Sequence, residues 1–208
     1  MFTGIVEATS QTIKTFKDSS KDLLRFLVQR PPSFDDIEIG DSIATNGICL
    51  TVESFDQDSI QFALGAETLK ITGWTPESVS KMTWNLERSL CFGDRIHGHL
   101  VTGHVDFTGR VLETLPSPES LGLKIQFPIS AHKYFWPKGS VCLNGVSLTI
   151  NEVGSDFLRV HLIPETLKAT NLGALQVGHV VNIEVDSFAR GMIHYFQERE
   201  PGIETPLR

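Results

Sequence analysis

The sequence predicts an all-β protein: two small antiparallel barrels in tandem, followed by a short C-terminal α-helix. Three observations carry this expectation. The first is a phrase said twice. Asn46-Gly47-Ile48-Cys49-Leu50-Thr51-Val52 returns 98 residues later as Asn144-Gly145-Val146-Ser147-Leu148-Thr149-Ile150. Four positions are identical, two exchange one β-branched residue for another, and Cys49 becomes Ser147. The second is a set of further matches in the same order. Thr3-Gly4-Ile5-Val6-Glu7 pairs with Thr102-Gly103-His104-Val105-Asp106, Glu67-Thr68-Leu69-Lys70 with Glu165-Thr166-Leu167-Lys168, and Asn85-Leu86-Glu87 with Asn182-Ile183-Glu184. Such a period is too long for a solenoid repeat and matches a small domain. The third is the rarity of helical periodicity before the C-terminal tail.

The repeat divides the chain into residues 1–97, 98–187 and a tail, 188–208. Strand chemistry, rich in β-branched and aromatic residues and often alternating, marks Leu24–Val28, Ile43–Phe55, Ser59–Leu64, Val105–Leu115, Leu123–Phe127, Val141–Val153, Phe157–Ile163 and Val180–Val185. Turn residues separate these runs at Asp56-Gln57-Asp58, Pro116-Ser117-Pro118 and Gly154-Ser155-Asp156. Each Asn-Gly step favours the left-handed backbone of a tight hairpin corner. Short helical turns are expected near Ser33–Ile37 and Ser130–Phe135. In the tail, Phe188, Met192, Ile193 and Phe196 recur at helical spacing, so an amphipathic helix is expected to run until Pro201 stops it. Its apolar face packs on its own barrel or on another subunit.

Composition bounds the function. The 208 residues are 40% hydrophobic and 21% charged, ordinary for a globular protein, and the net charge is -7. An acidic chain argues against nucleic acid as the main partner. No apolar run approaches a membrane span, and the N-terminus lacks the basic flank of a signal peptide. Three widely spaced cysteines, Cys49, Cys91 and Cys142, suit a reduced cytoplasmic setting.

Several side chains could carry chemistry. His97, His99 and His104 form H-x-H-x4-H, which leaves a metal-dependent reading open. Separate polar residues near a domain junction are the plainer reading. His104 alone falls in a repeated motif, where its counterpart is Ile5, and is a candidate acid, base or donor. Lys138 stands opposite Gly40 at the entry to the second phrase. Cys49 is either a small buried hydrophobe or a nucleophile facing a ligand. Glu67-Thr68 and Glu165-Thr166 read as capped strand ends or as backbone that could meet the edge of a flat heterocycle.

Met1-Phe2-Thr3-Gly4-Ile5-Val6, the two NGxxLT phrases, Gly98 through Val105, Lys138-Gly139 and His161 through Leu167 together resemble riboflavin synthase of the alpha-chain type, in order from Met1 to about Asp186. The resemblance implies two six-stranded antiparallel Greek-key barrels and a C-terminal helix that joins three subunits. It implies dismutation of two 6,7-dimethyl-8-ribityllumazine molecules to riboflavin and 5-amino-6-(ribitylamino)uracil, with no metal or organic cofactor. Association with lumazine synthase is a further expectation. The resemblance places the site between the first barrel of one subunit and the second barrel of its neighbour. Carried over by position, Gly4, Ile5, Val6, Cys49, Leu50, Thr51, Ala63, Leu64, Gly65, Ala66, Glu67 and Thr68 line the first-domain site. His104, Val105, Asp106, Ser147, Leu148, Thr149, His161, Leu162, Ile163, Pro164, Glu165 and Thr166 line the second. Ser42, Cys49, His104 and Lys138 match catalytic positions, and Phe2 matches an aromatic that closes the site. Two departures stand out. Asn144 replaces a frequent aspartate and can orient a ring but not take its proton. Thr72-Gly73-Trp74-Thr75-Pro76 replaces the loop seen as Thr170-Asn171-Leu172-Gly173 in the second domain. The competing reading is a non-catalytic lumazine- or flavin-binding protein of the same fold.

Overall fold

The computed structural model describes residues 1–18 and 23–199. The first half contains strands β1 (Ala8–Asp18), β2 (Leu23–Gln29), β3 (Ser42–Thr45), β4 (Ile48–Thr51), β5 (Ser54–Phe55), β6 (Ser59–Leu64) and β7 (Thr83–Arg88). Helices α1 (Ala66–Thr72) and α2 (Pro76–Val79) sit between β6 and β7. The second half contains β8 (Phe107–Ser117), β9 (Ser120–Gln126), β10 (Ser140–Leu143), β11 (Val146–Val153), β12 (Phe157–Leu162) and β13 (Val180–Val185), with α3 (Pro164–Ala169) after β12. Helix α4 (Ser187–Arg199) follows; Pro201, expected to end it, lies outside the described residues.

The second half is a closed six-stranded barrel, β10-β11-β12-β9-β8-β13, with every pairing antiparallel. The first half follows the same circuit as one sheet, β4-β3-β7-β1-β2-β6-β5. Its end strands β4 and β5 are consecutive pieces of one run, broken at Val52-Glu53. There the Val52 N–H donates to Asp41 O and the Glu53 N–H to Gln61 O. At the matching place β11 stays continuous but shifts register between Ile150 and Glu152.

Strands β1 and β7 were not expected from hydrophobic pattern. In β1 a bulge between Thr12 and Lys14 breaks the alternation and turns Ile13 out to solvent. In β7 both faces are buried: Trp84 and Leu86 enter the barrel, while Asn85 reaches Asn144 of the other half and Glu87 holds the Thr3-Gly4 loop. Neither run can therefore alternate between apolar and polar. The helical turn expected at Ser33–Ile37 does not form. Phe34 donates to Pro31 O and buries its ring, and the chain then continues without helical bonding. The corresponding turn in the second half, Ile129–Tyr134, is a 3-10 helix.

Two apolar cores fill the halves. Phe26 stacks on Trp84 at 4.7 Å between ring centres in the first, and Phe127 packs on Phe135 at the same separation in the second. Burying each large apolar side chain contributes about 1.5–3 kcal/mol.

The repeated motifs meet at a seam between the barrels. Each Asn-Gly is the two-residue corner of a hairpin, with left-handed φ at Asn46 and Gly47 and at Asn144 and Gly145. The corners touch: a Cβ on Gly47 would lie 2.7 Å from Gly145 N. Asn46 Oδ1 accepts from Asn85 N, and Asn144 Oδ1 from Asn182 N, both at 2.8 Å. Asn85 Nδ2 donates to Asn144 O and Asn182 Nδ2 to Asn46 O, again at 2.8 Å. Phe2, Ala44, Val101 and Cys142 form a small buried cluster beside them. Unpaired, these buried amides would each cost roughly 1–3 kcal/mol; paired reciprocally, they fix one arrangement of the halves.

Candidate active site

Two carboxylates shape the site. Glu87 accepts from Thr3 N (2.7 Å), Thr3 Oγ1 (2.9 Å) and Gly4 N (3.0 Å). Glu184 accepts from Thr102 N (2.7 Å), Thr102 Oγ1 (2.7 Å) and Gly103 N (2.9 Å). Burial pushes the Glu87 carboxyl above its ordinary range, against the pull of these donors. Each pinned Thr-Gly loop then crosses to the opposite barrel. Gly103 O accepts from Cys49 N, and Gly4 O from Ser147 N, both at 2.8 Å. Val105 packs on the first core and Val6 on the second. A Cβ on Gly103 would lie 2.5 Å from the Cys49 Cβ, and φ there is +80°. Only glycine lets the loop come so close.

The crossing corrects the expected grouping. His104 and Val105 belong with Cys49, and Gly4, Ile5 and Val6 with Ser147. The first arrangement opens a cavity of about 430 Å³ lined by Ile48, Cys49, Glu67, Thr68, Ile71, Thr72, Gly103, His104 and Val105. That volume suits a small flat heterocycle. A larger, more open depression of about 610 Å³ beside Arg110 and Asp156 contains none of the repeated motif residues.

Glu67 and Thr68 enter the cavity because Ala66–Thr72 is a helix rather than a strand end. Ile71 and Thr72 join them one turn later, a spacing visible in the sequence once a helix is assumed. On the second half, Ile163, Pro164, Glu165 and Thr166 open α3 in the same way, and His161 is exposed on β12 opposite Gly122. Ala63 lies on the outward face of β6.

Other expected residues lie elsewhere. Phe2 is fully buried in the seam and does not close the cavity. Leu50, Leu64, Leu148 and Leu162 point into the barrel cores, because strand alternation sends their outward neighbours to the surface. Asn144 is a buried seam amide in a left-handed turn: its Oδ1 accepts from Asn182 N and its Nδ2 donates to Asn171 Oδ1, so the amide already has partners within the seam. Asp106 accepts from Val185 N (2.8 Å) and Arg190 Nη2 (2.9 Å), tying α4 to the second barrel; burial raises its carboxyl. Ser42 faces Thr51 across β3–β4 and lines a separate cavity of about 220 Å³ with Asp36 and Arg88. Thr149 is the matching exposed position on β11, opposite Ser140. Lys138 is exposed in a left-handed turn (φ 71°), its N–H on Ile150 O; Gly40 takes the same place on Val52 O.

The three histidines separate. His104 lines the 430 Å³ cavity, and His97 lines another beside Arg88 and Cys91. His99 is half-buried with Nδ1 2.7 Å from Ser147 Oγ. Burial lowers its basicity more than Asp186 and Glu184 raise it. Among the described residues no three His, Cys, Asp or Glu side chains form a group able to hold a metal.

The profile described as the lumazine binding domain matches this chain twice, over residues 3–89 and 102–186. The chain belongs to the riboflavin synthase family. It is 35% identical to riboflavin synthase of Actinobacillus pleuropneumoniae over 98% of this chain and 93% of that one. It is 40% identical to riboflavin synthase of Mycobacterium bovis, covering 91% of this chain and 95% of that one. The solved structure of LumP complexed with 6,7-dimethyl-8-(1'-D-ribityl) lumazine superposes with a TM-score of 0.77 at 26% identity, covering 89% of this chain and 99% of that chain. The family's doubled domain is the duplication read from the sequence, and its two copies coincide with the two barrels described above. Among the described residues no helix is long and apolar enough to cross a membrane.

Proposed function

We propose that the protein is a riboflavin synthase. It takes two 6,7-dimethyl-8-ribityllumazine molecules, moves a four-carbon unit from one to the other, and releases riboflavin and 5-amino-6-(ribitylamino)uracil. The observation that carries the reading is the cavity shared by both halves, with Cys49 from one and His104 from the other, in a chain with two lumazine-binding repeats. Two like substrates call for two like sites. Donor and acceptor roles call for the inequalities Cys49/Ser147, Ile5/His104 and Gly40/Lys138. His104 handles the proton of the acidified 7-methyl group, and Cys49 supports addition at C7. Holding two rings face to face supplies most of the acceleration by turning a bimolecular step into a positioned one.

Ser42 and Lys138 lie outside the cavity of a single chain, so their catalytic part belongs to a site completed by a neighbour. The C-terminal helix supports a homotrimer. Ala189 is buried and Ile193 packs on its own barrel, while Phe188, Met192, Tyr195 and Phe196 stay exposed around a groove of about 430 Å³. A cytoplasmic setting and association with lumazine synthase complete the proposal.

The likeness to LumP favours a second reading, a lumazine- or flavin-binding protein without turnover. Purified protein mixed with 6,7-dimethyl-8-ribityllumazine decides between them. Riboflavin absorbance should grow, with one riboflavin formed for every two lumazines consumed. Tight binding without that absorbance refutes the enzyme and leaves the binding protein.

A further inference from the structure

The least symmetric part of the seam is the linker between β7 and β8. It lies across β11 at Gly98-His99. A Cβ on Gly98 would sit 2.1 Å from Thr3 O and 2.8 Å from Ser147 Oγ, so the linker presses on the strand as closely as backbone allows. The His99 N–H donates to Thr3 O at 3.2 Å, which anchors the linker to the Thr-Gly loop serving the second barrel. The ring then reaches Ser147 Oγ through Nδ1 at 2.7 Å.

Ser147 holds the position that Cys49 holds in the 430 Å³ cavity. Val146, Leu148 and Ile150 enter the barrel core, so Ser147 faces outward with Thr149, beside Gly4. A serine hydroxyl rotates freely and can donate or accept. A fixed partner removes that freedom.

We propose that His99 is a positioning residue of the second lumazine site: its Nδ1 accepts the Ser147 hydroxyl proton, so that the Ser147 oxygen meets the bound heterocycle as an acceptor for a ring N–H. The inference rests on the function proposed above. Burial keeps the imidazole uncharged in neutral solution, as an accepting Nδ1 requires. In the neutral ring the remaining proton then sits on Nε2. Cys49 has no such partner among the described residues, so the two sites present different atoms to identical ligands.

The test uses the full-length protein with riboflavin as probe, titrated by fluorescence, and 6,7-dimethyl-8-ribityllumazine for turnover. His99→Asn keeps a polar atom near the place of Nδ1; His99→Gln moves it to the place of Nε2 and leaves Ser147 without a partner. Near-UV circular dichroism confirms the fold of each variant. His99→Gln and Ser147→Ala should each weaken one of the two riboflavin sites per chain by about tenfold, the net worth of one hydrogen bond, and leave the other site unchanged. The double variant should bind no more weakly than either single one, the signature of a coupled pair. His99→Asn should recover most of the affinity. Wild-type affinity in His99→Gln, additive losses in the double variant, or no recovery in His99→Asn each overturn the inference. Wild-type protein that binds no riboflavin and forms none refutes the lumazine-site reading itself.

Discussion

Replacing Gly47 by alanine tests whether the two hairpin corners hold the barrels together. Gly47 has φ +80°, and an added Cβ meets Gly145 N at 2.7 Å and Gly145 Cα at 3.2 Å. A left-handed backbone costs a residue with a Cβ about 1–2 kcal/mol. The clash adds about 1–3 kcal/mol, the usual price of overpacking, because its partner is backbone and cannot rotate away. Gly73 separates the two effects. It has φ +67° and nothing within 4 Å of its virtual Cβ, so Gly73→Ala carries the backbone cost alone. Gly47→Ala is therefore expected to lose roughly 1–3 kcal/mol more than Gly73→Ala. In urea, with a slope of about 1–3 kcal/mol per molar, the midpoints should separate by at least several tenths of a molar. Gly145→Ala should behave like Gly47→Ala, since its Cβ meets Gly47 N at 2.8 Å. Coincident midpoints for Gly47→Ala and Gly73→Ala would show that the corners do not bear on each other.

Three further expectations follow from the site. Glu87→Gln places an amide N–H against the donors of Thr3 or Gly4 and should cost about 1–3 kcal/mol, read by thermal melting at pH 7. Burial raises the Glu87 carboxyl above its ordinary value in the folded chain, so between the unfolded and the folded pKa the folded state binds more protons than the unfolded one. Stability therefore falls as pH rises through that window, and the melting temperature of Glu87→Gln should show a smaller decline there; parallel curves would contradict the assignment. His104→Ala should lower turnover by roughly a hundredfold or more, whereas Lys138→Ala should change lumazine affinity far less; undiminished turnover in His104→Ala removes it from proton transfer. Met192→Asp puts a charge into the exposed apolar stripe of α4, and light scattering should record a drop from trimer to monomer. An unchanged mass means that the stripe is not the subunit contact.

The fold was legible in the sequence wherever one face of a strand was dry and the other wet. Phe26, Val28, Ile60, Phe62 and Leu64 alternate with more exposed neighbours, and their strands are where the pattern places them. Pattern was lost at β7, whose two faces are both buried, and at β1, whose bulge shifts the alternation. The site was legible as a set of residues but not as a set of neighbours. Glu87 and Glu184 were visible only as members of a repeat, yet they send each Thr-Gly loop across to the other barrel. Hydrogen bonds spanning more than 80 residues leave no periodic trace in a sequence. The doubled phrase also divides its labour in a way that spacing cannot reveal. Its Asn and Gly hold the seam, its Leu fills a core, and Cys49 or Ser147 alone meets the opposite Thr-Gly loop. Asn144, which stands where a carboxylate could have taken a proton, is thereby a structural amide. His99 was hidden for a similar reason: its partner Ser147 lies 48 residues away.

The anchoring of the second Thr-Gly loop also sets an order of assembly. During synthesis, the first barrel has all its strands once β7 emerges, and Cys49 is then in place. The opposite wall, Gly103 through Val105, leaves the ribosome soon afterwards. Its anchor, Glu184, lies on β13, the last strand among the described residues. The wall facing Cys49 is fixed only once β13 has been made. A nascent chain, or one truncated before β13, can thus complete one barrel without owning a finished cavity, and competence to bind arrives with β13.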